Sequence, residues 1–191
     1  DVLETLLTQA ESLAKDGRFD EALTTLSDAK TRYTDMVSQA LVDDLAMRVR
    51  ISQAEAQARN GNEAEALAAL QRLAGERPGS AAGKRAAERA AEILRRQAET
   101  AQARGDAGAA VSALERIVKE FPDTAVAGVA RNDLPRLRAR QGEALLPTDS
   151  DKAVSDLRAA LVGAGERDLL GIRKQLAAAL VYRAGVCSRA S

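Results

Sequence analysis

One tripeptide recurs along this chain at a constant interval. Gln-Ala-Glu begins at residue 9, again at residue 53 and again at residue 97, and it returns with one change as Gln141-Gly142-Glu143. Each copy stands 44 residues after the previous one. A fixed period of tens of residues is typical of supersecondary units that stack, because one unit cannot bury its apolar face alone. The sequence therefore predicts a repeat protein.

The same interval carries the residues that shape each unit. Each of the first three copies is followed, at constant offsets, by a glycine, an alanine and a leucine. Glycine ends a helix without steric cost, and the apolar residues recur at helical spacing. Each unit is therefore predicted to be two antiparallel helices joined by a short turn. The positions are Gly17, Gly61 and Gly105, then Ala22, Ala66 and Ala110, then Leu26, Leu70 and Leu114.

Apolar spacing, glycines and prolines give the boundaries of the helices. We expect one repeat domain over residues 1–191, with units at about 1–34, 35–78, 79–122 and 123–165 and a C-terminal helix at 166–185. The tail from Gly185 onward is expected to fray. The predicted helices span about 3–15 and 19–33, 35–59 and 63–74, 80–104 and 107–120, 124–146 and 150–162, and finally 166–184.

The fourth unit departs from the pattern. Pro135 lies inside its first helix, where it removes a backbone donor, so we expect a kink, a break or a fresh helix start near Asp133. The unit is also one residue shorter, and a Leu-Pro-Thr-Asp turn replaces the glycine turn. Asp149 or Ser150 is the expected N-cap of the helix that follows.

Composition argues against catalysis. The 191 residues include no histidine, which removes the most common proton-transfer group and metal ligand. The neighbouring carboxylates Asp43 and Asp44 point about 100° apart on a helix, so a solvated face is the better interpretation. The one cysteine, Cys187, can form no intrachain disulfide. We therefore expect no enzymatic activity, no cofactor and no metal site.

The charges are balanced but unevenly distributed. Lysine and arginine total 28, as do aspartate and glutamate, yet the first 66 residues are acidic and the middle of the chain is rich in arginine. Interleaved glutamates and the scarcity of aromatic residues, at 2%, disfavour nucleic acid as a partner. No apolar run approaches the roughly 18 residues of a membrane span. We expect no direct membrane insertion, and a small-molecule ligand is disfavoured.

The chain begins at Asp1 without a methionine. Its first helix lacks the ten-residue extension that the later first helices have, so the apolar edge of Val2, Leu3 and Leu6 is expected to be incompletely covered. Both features indicate that a segment was cleaved from the front or that the chain is part of a longer protein.

The repeated positions resemble the tetratricopeptide repeat (TPR) superfamily. Its order is a small residue, then glycine, alanine, a large apolar residue and proline at fixed offsets. The resemblance implies a right-handed, all-α solenoid of antiparallel helix hairpins, with the first (A) helices lining a concave face and the second (B) helices behind them. The matching positions are Ala54, Gly61, Ala66, Leu70 and Pro78 in the second unit, and Ala98, Gly105, Ala110, Leu114 and Pro122 in the third.

The sequence also departs from that family. The usual period is 34 residues, and the surplus of ten lies inside each A helix, which should overhang one edge by about 15 Å. Arg50 and Arg138 stand where the family often has tryptophan. The segment from Ile117 to Thr124 looks most like repeats of bacterial envelope proteins, which slightly favours the periplasm or envelope over the cytoplasm.

The resemblance implies a binding groove on the A helices for another protein or peptide. A structural alternative is that the recurring glutamates form pairs within helices, such as Glu55 with Arg59, or ladders between helices. Two contexts remain open, a free-standing adaptor of the bacterial envelope and a regulatory or sensor arm of a multidomain enzyme or signalling protein. The candidate groove residues are Glu11, Arg48, Glu55, Arg59, Arg95, Glu99, Arg136 and Glu143.

Overall fold

The computed structural model describes the backbone of residues 2–189 and the side chains of residues 2–185. Over this part of the chain it is all-α, as predicted, with nine helices and no strand. The A helices of the later units are long, and each B helix that follows has 14 residues. The helices are α1 (Val2–Lys15), α2 (Phe19–Arg32), α3 (Met36–Arg59), α4 (Glu63–Glu76), α5 (Ala81–Ala103), α6 (Ala107–Glu120), α7 (Ala125–Leu145), α8 (Ser150–Gly163) and α9 (Glu166–Arg189).

The helices group into two compact units, each larger than one of the repeat units predicted from the sequence. The first comprises Asp1–Ile93 and the second Leu94–Ser191, so the boundary lies within α5. In the first unit α1 packs on α2, α2 on α3 and α3 on α4, and α1 also contacts α3. In the second unit α6, α7, α8 and α9 pack in sequence, and α7 also contacts α9. Within each unit, antiparallel hairpins are stacked in the manner of an α-solenoid.

Three equivalent turns join the A helices to the B helices. Gly17, Gly61 and Gly105 have φ angles of 78°, 92° and 77°, and no other residue of the described backbone has a positive φ. The N–H of Gly17 donates to the carbonyl of Ala14, and that of Arg18 donates to Leu13. This is the Schellman pattern that ends helices. The predicted glycine turns are confirmed.

The recurring apolar residues form the core. The alanine of the tripeptide and the alanine and leucine that follow it at constant offsets are buried in each of the first three copies, with at most 3% of the surface of each exposed. In the fourth unit the corresponding residues are Ala153 and Leu157, at 0% and 1%. Small side chains at these contacts let the helices approach closely. The buried set from the repeats is Ala10, Ala54 and Ala98, Ala22, Ala66 and Ala110, and Leu26, Leu70 and Leu114.

Several helix boundaries differ from the prediction. Helix α4 continues through Gly75 to Glu76, and α9 continues through Gly185 to Arg189, because an α-helix tolerates an isolated glycine at a modest cost. Helix α7 is continuous across Pro135, so the predicted break or fresh start is wrong, and a kink stays a prediction. The side chain of Cys187 lies outside the described residues.

The ends of the long helices expose apolar residues. At the start of α3, Met36 is 87% exposed and Val37 is 71% exposed, as expected for an A helix that overhangs its neighbour. On α1, Val2 is exposed whereas Leu3 is buried, so the apolar edge predicted there is only partly uncovered. Asp149, one of the two predicted N-caps of α8, accepts a hydrogen bond from the N–H of Lys152.

Candidate functional site: the face of the A helices

The predicted groove residues all lie on A helices. Glu11 lies on α1, Arg48, Glu55 and Arg59 lie on α3, Arg95 and Glu99 on α5, and Arg136 and Glu143 on α7. The boundary between the two compact units places the first four residues in one unit and the last four in the other.

In the first compact unit, α1 and α3 bring Glu11 and Arg48 together. A guanidinium nitrogen of Arg48 lies 3.6 Å from Glu11 Oε1, and its Nε lies 3.2 Å from Asp44 Oδ2 on the preceding turn of α3. The Glu11 and Arg48 side chains remain 44% and 47% exposed. Exposed pairs of this kind contribute about 0–1 kcal/mol each, so Arg48 can exchange carboxylate partners at little cost.

A groove of about 390 Å³ opens beside this pair. Its polar lining consists of Glu11 and Lys15 from α1 together with Arg48, Ser52 and Arg85. The buried residues Leu45 and Val49 contribute to its lining as well. The groove therefore combines an apolar base with charges of both signs at its rim.

Glu55 lies closer to its cationic partner than Glu11 does, although its Oε1 accepts no hydrogen bond. The Nε of Arg89 on α5 lies 2.7 Å from Glu55 Oε1, and the same arginine donates to Glu92 at 2.7 Å. The hydrogen bond to Glu92 and the charges of Glu55 and Glu92 raise the pKa of Arg89. Glu55 is only 25% exposed. The alternative of a pair between Glu55 and Arg59 is not what forms, because Arg89 is the partner of Glu55 and Arg59 is exposed to solvent.

The second compact unit shows two kinds of contact on its A helices. Arg95 and Glu99 pair within α5, one turn apart. Helix α7 instead reaches α9: Arg136 Nε lies 2.9 Å from both carboxylate oxygens of Asp168. Gln175 of α9 donates to Glu143 at 2.7 Å.

Most of the predicted residues therefore make contacts between neighbouring A helices. Three of the four recurring glutamates contact a side chain on another helix: Glu11 contacts α3, Glu55 contacts α5 and Glu143 contacts α9. These contacts favour the ladder interpretation for the three glutamates. Sequence reasoning missed two of their three partners, Arg89 and Gln175, and two lining residues of the groove, Lys15 and Ser52. A spacing of 32 to 37 residues between a glutamate and a basic or amide residue is the signal that could have found the partners.

Three segments of the chain match the family model for the tetratricopeptide repeat: residues 4–35, 52–80 and 87–124. Together they make up just over half of the sequence. The chain belongs to the tetratricopeptide repeat family. TPR repeats generally mediate protein–protein interactions, and their fold is typically non-catalytic.

Among solved structures, the chain is similar to the nearly identical TPR-like repeats of a protein described as a putative kinesin light chain from Podosopora anserina. The identity is 16%, the TM-score is 0.30, and the match covers 96% of this chain and 87% of the other. A second structure of that protein, carrying one substitution, gives the same values. A comparison with curated protein sequences finds no significant match. The likeness is too distant for any function to be transferred.

Metal binding and membrane crossing are two further possibilities for the part of the chain that the structure describes. No cluster of three or more histidine, cysteine, aspartate or glutamate residues in this part of the chain could hold a metal ion. None of the helices, as far as the structure describes them, is long and apolar enough to cross a membrane.

Proposed function

We propose that this TPR chain is a non-catalytic scaffold that binds a peptide or helix of another protein on the face of its A helices. The single observation that carries the proposal is the groove beside Glu11 and Arg48. Its charges lie at the rim and are close to half exposed, which suits a partner with charged side chains of its own. Small-molecule sites are more enclosed and mostly apolar, so a small ligand fits less well.

The strength of each ion pair indicates what each residue does. Glu11 and Arg48 form a long, exposed pair that a partner can compete for, so we assign both to partner binding. Glu55 and Arg89 form a shorter and more shielded contact between α3 and α5, so we assign them to positioning these helices. The other candidate contacts on the A helices are Arg59 in the first compact unit and Arg95, Glu99, Arg136 and Glu143 in the second.

Site-specific cross-linking tests which face of the repeat meets the partner. A photoreactive residue at Ser52, which lines the groove, should capture a partner from the source cell. The same residue at Ser112, which is exposed on the B helix α6, is the matched control and should capture much less. Equal capture at the two positions, or capture at Ser112 alone, would overturn the proposal.

The captured protein then allows the affinity to be measured. Arg48→Gln should weaken binding in proportion to the lost charge contact, by roughly tenfold at low salt and less at high salt. Glu55→Gln should change the thermal stability more than the affinity. If Arg48→Gln leaves the affinity unchanged, Arg48 makes no contact with the partner and the assignment of the groove fails.

A further inference from the structure

A second cleft lies on the opposite side of α3, away from the face of the A helices. It runs between the B helices α2 and α4, with α3 as its floor, and consists of two adjoining parts of about 430 and 450 Å³. Leu23, Arg50 and Glu76 line both parts. We call it the B-helix cleft.

The charges of this cleft run against those of the surrounding sequence. The first 66 residues carry an excess of acidic residues, yet the cleft is lined by four cations, Lys30, Arg50, Arg72 and Arg77. It has two carboxylates, Asp43 and Glu76.

Asp43 is already engaged at one end of the cleft. Its Oδ1 lies 2.5 Å from Lys30 Nζ, and its Oδ2 lies 3.5 Å from Arg77 Nη2. These contacts tie α2 and the end of α4 to α3. They leave Arg50 and Arg72, both exposed, as the cations that face the rest of the cleft.

The repeat shows what Arg50 lacks. Arg138, two repeat intervals later, donates to Glu115 on α6 with N to O distances of 2.8 and 3.2 Å. The residue two repeat intervals before Glu115 is Ser27 on α2, which lines the B-helix cleft together with Arg50. Arg50 forms no ion pair among the residues that the structure describes. The first compact unit therefore has the same guanidinium as the second, but a hydroxyl where the second has a carboxylate.

We propose that the B-helix cleft binds an acidic segment of a partner protein, whose carboxylate takes the place opposite Arg50 that Glu115 takes opposite Arg138. Leu23 and Leu73 line the cleft and offer apolar contacts for the side chains that flank the carboxylate. A charge-assisted contact of this kind is stronger than a neutral hydrogen bond and gives the cleft its preference for acidic chains. The surface is distinct from the A-helix groove and does not depend on it.

A synthetic peptide tests the preference directly. The probe is an acetylated and amidated peptide that repeats Leu-Glu-Glu-Leu and carries a fluorophore, and its matched control has glutamine in place of every glutamate. Fluorescence anisotropy should show binding of the acidic probe that weakens as salt is added, and binding of the control at least about tenfold weaker. Equal binding of both peptides, or none of the acidic one, would overturn the proposal.

Three variants locate the site. Arg50→Gln should weaken binding of the acidic probe by about tenfold. Ser27→Glu supplies the missing carboxylate from within the chain and should weaken binding of the probe as much. Because Ser27 is exposed on α2, the fold should be kept, which circular dichroism checks. Glu76→Gln removes a competing carboxylate and should strengthen binding.

Arg116→Gln is the control for general loss of charge. Arg116 pairs with Glu120 on α6, in the second unit, and should not affect the probe. If Arg116→Gln weakens binding as much as Arg50→Gln does, the attraction is non-specific and the proposal fails. Sedimentation of the free protein tests whether a second copy of this chain occupies the cleft instead. A dimer that Ser27→Glu dissociates would show that a second copy, rather than a partner, fills the cleft and would overturn the proposal.

Discussion

Gly61 occupies a conformation that its sequence position requires. Its φ of 92° is strained for any residue with a Cβ, although no atom lies within 4 Å of where that Cβ would stand. Gly61→Ala should therefore cost about 1–2 kcal/mol through backbone strain alone. Gly171→Ala, in the open interior of α9, should instead stabilise the protein by about 0.5–1 kcal/mol. Urea unfolding measures both, and a shift of the same sign in the two variants would contradict the argument.

Asp156 on α8 is a carboxylate in an unfavourable place. Burial raises its pKa above the ordinary 3.8, against the opposing charges of Lys152 and Arg138, with smaller contributions from Glu115 and Asp149. Its Oδ2 is buried without a hydrogen-bond partner. Because the folded state holds this proton more tightly than the unfolded state, the contribution of Asp156 to stability falls as the pH rises through its raised pKa.

Asp156→Asn should consequently stabilise the protein at neutral pH and reduce the dependence of its stability on pH. The gain should stay below about 1 kcal/mol, since Asp156 is partly exposed. Unfolding measured in urea at acidic and neutral pH checks this result, with Asp28→Asn on the exposed face of α2 as the control. A loss of stability at neutral pH would mean that the Asp156 charge is favourable.

At the scale of the helices, two N-caps that stand at equivalent positions of the repeat, Asn62 and Asp106, are not equally good. Asp106 accepts a hydrogen bond of 2.8 Å from the N–H of Ala109 at the start of α6. Asn62, at the same place before α4, makes no such bond, although asparagine is a good capping residue. Asp106→Ala should therefore cost about 0.5–2 kcal/mol and Asn62→Ala clearly less, as measured by urea unfolding. Equal costs would show that the cap bond contributes nothing to stability.

At the scale of the whole molecule, stability should come from the apolar core rather than from ion pairs. No charged residue is buried in the described part of the chain, whereas Leu70 and Leu157 are 0% and 1% exposed. Leu70→Ala or Leu157→Ala should each cost about 2–5 kcal/mol. Screening the surface pairs with about 1 M salt, where the Debye length is about 3 Å, should change stability by less than either substitution. Greater sensitivity to salt would contradict this view.

The sequence by itself determined the all-α fold, the glycine turns and the repeating core. These follow from local rules, since Gly61 takes a positive φ without the strain that Ala would incur, and since Ala66 and Leu70 stand at helical spacing from one another. The same rules located the A helices that carry the candidate groove residues. They could not predict the partners of those residues, because Glu55 and Arg89 lie 34 positions apart and only the tertiary structure brings the two side chains together.

The tertiary structure also explains Gly142, the one change in the recurring tripeptide. A Cβ there would lie 2.9 Å from the Ala153 carbonyl oxygen and 2.9 Å from Leu157 Cγ. The residues of α8 stand one position earlier in the sequence than the 44-residue interval predicts, and α8 lies too close to residue 142 for the alanine of the other copies. This closeness depends on how α7 and α8 pack and cannot be read from a local sequence pattern. Whether a charge such as Arg50 is paired or open was decided in the same way, by which side chain stands across the interface between helices.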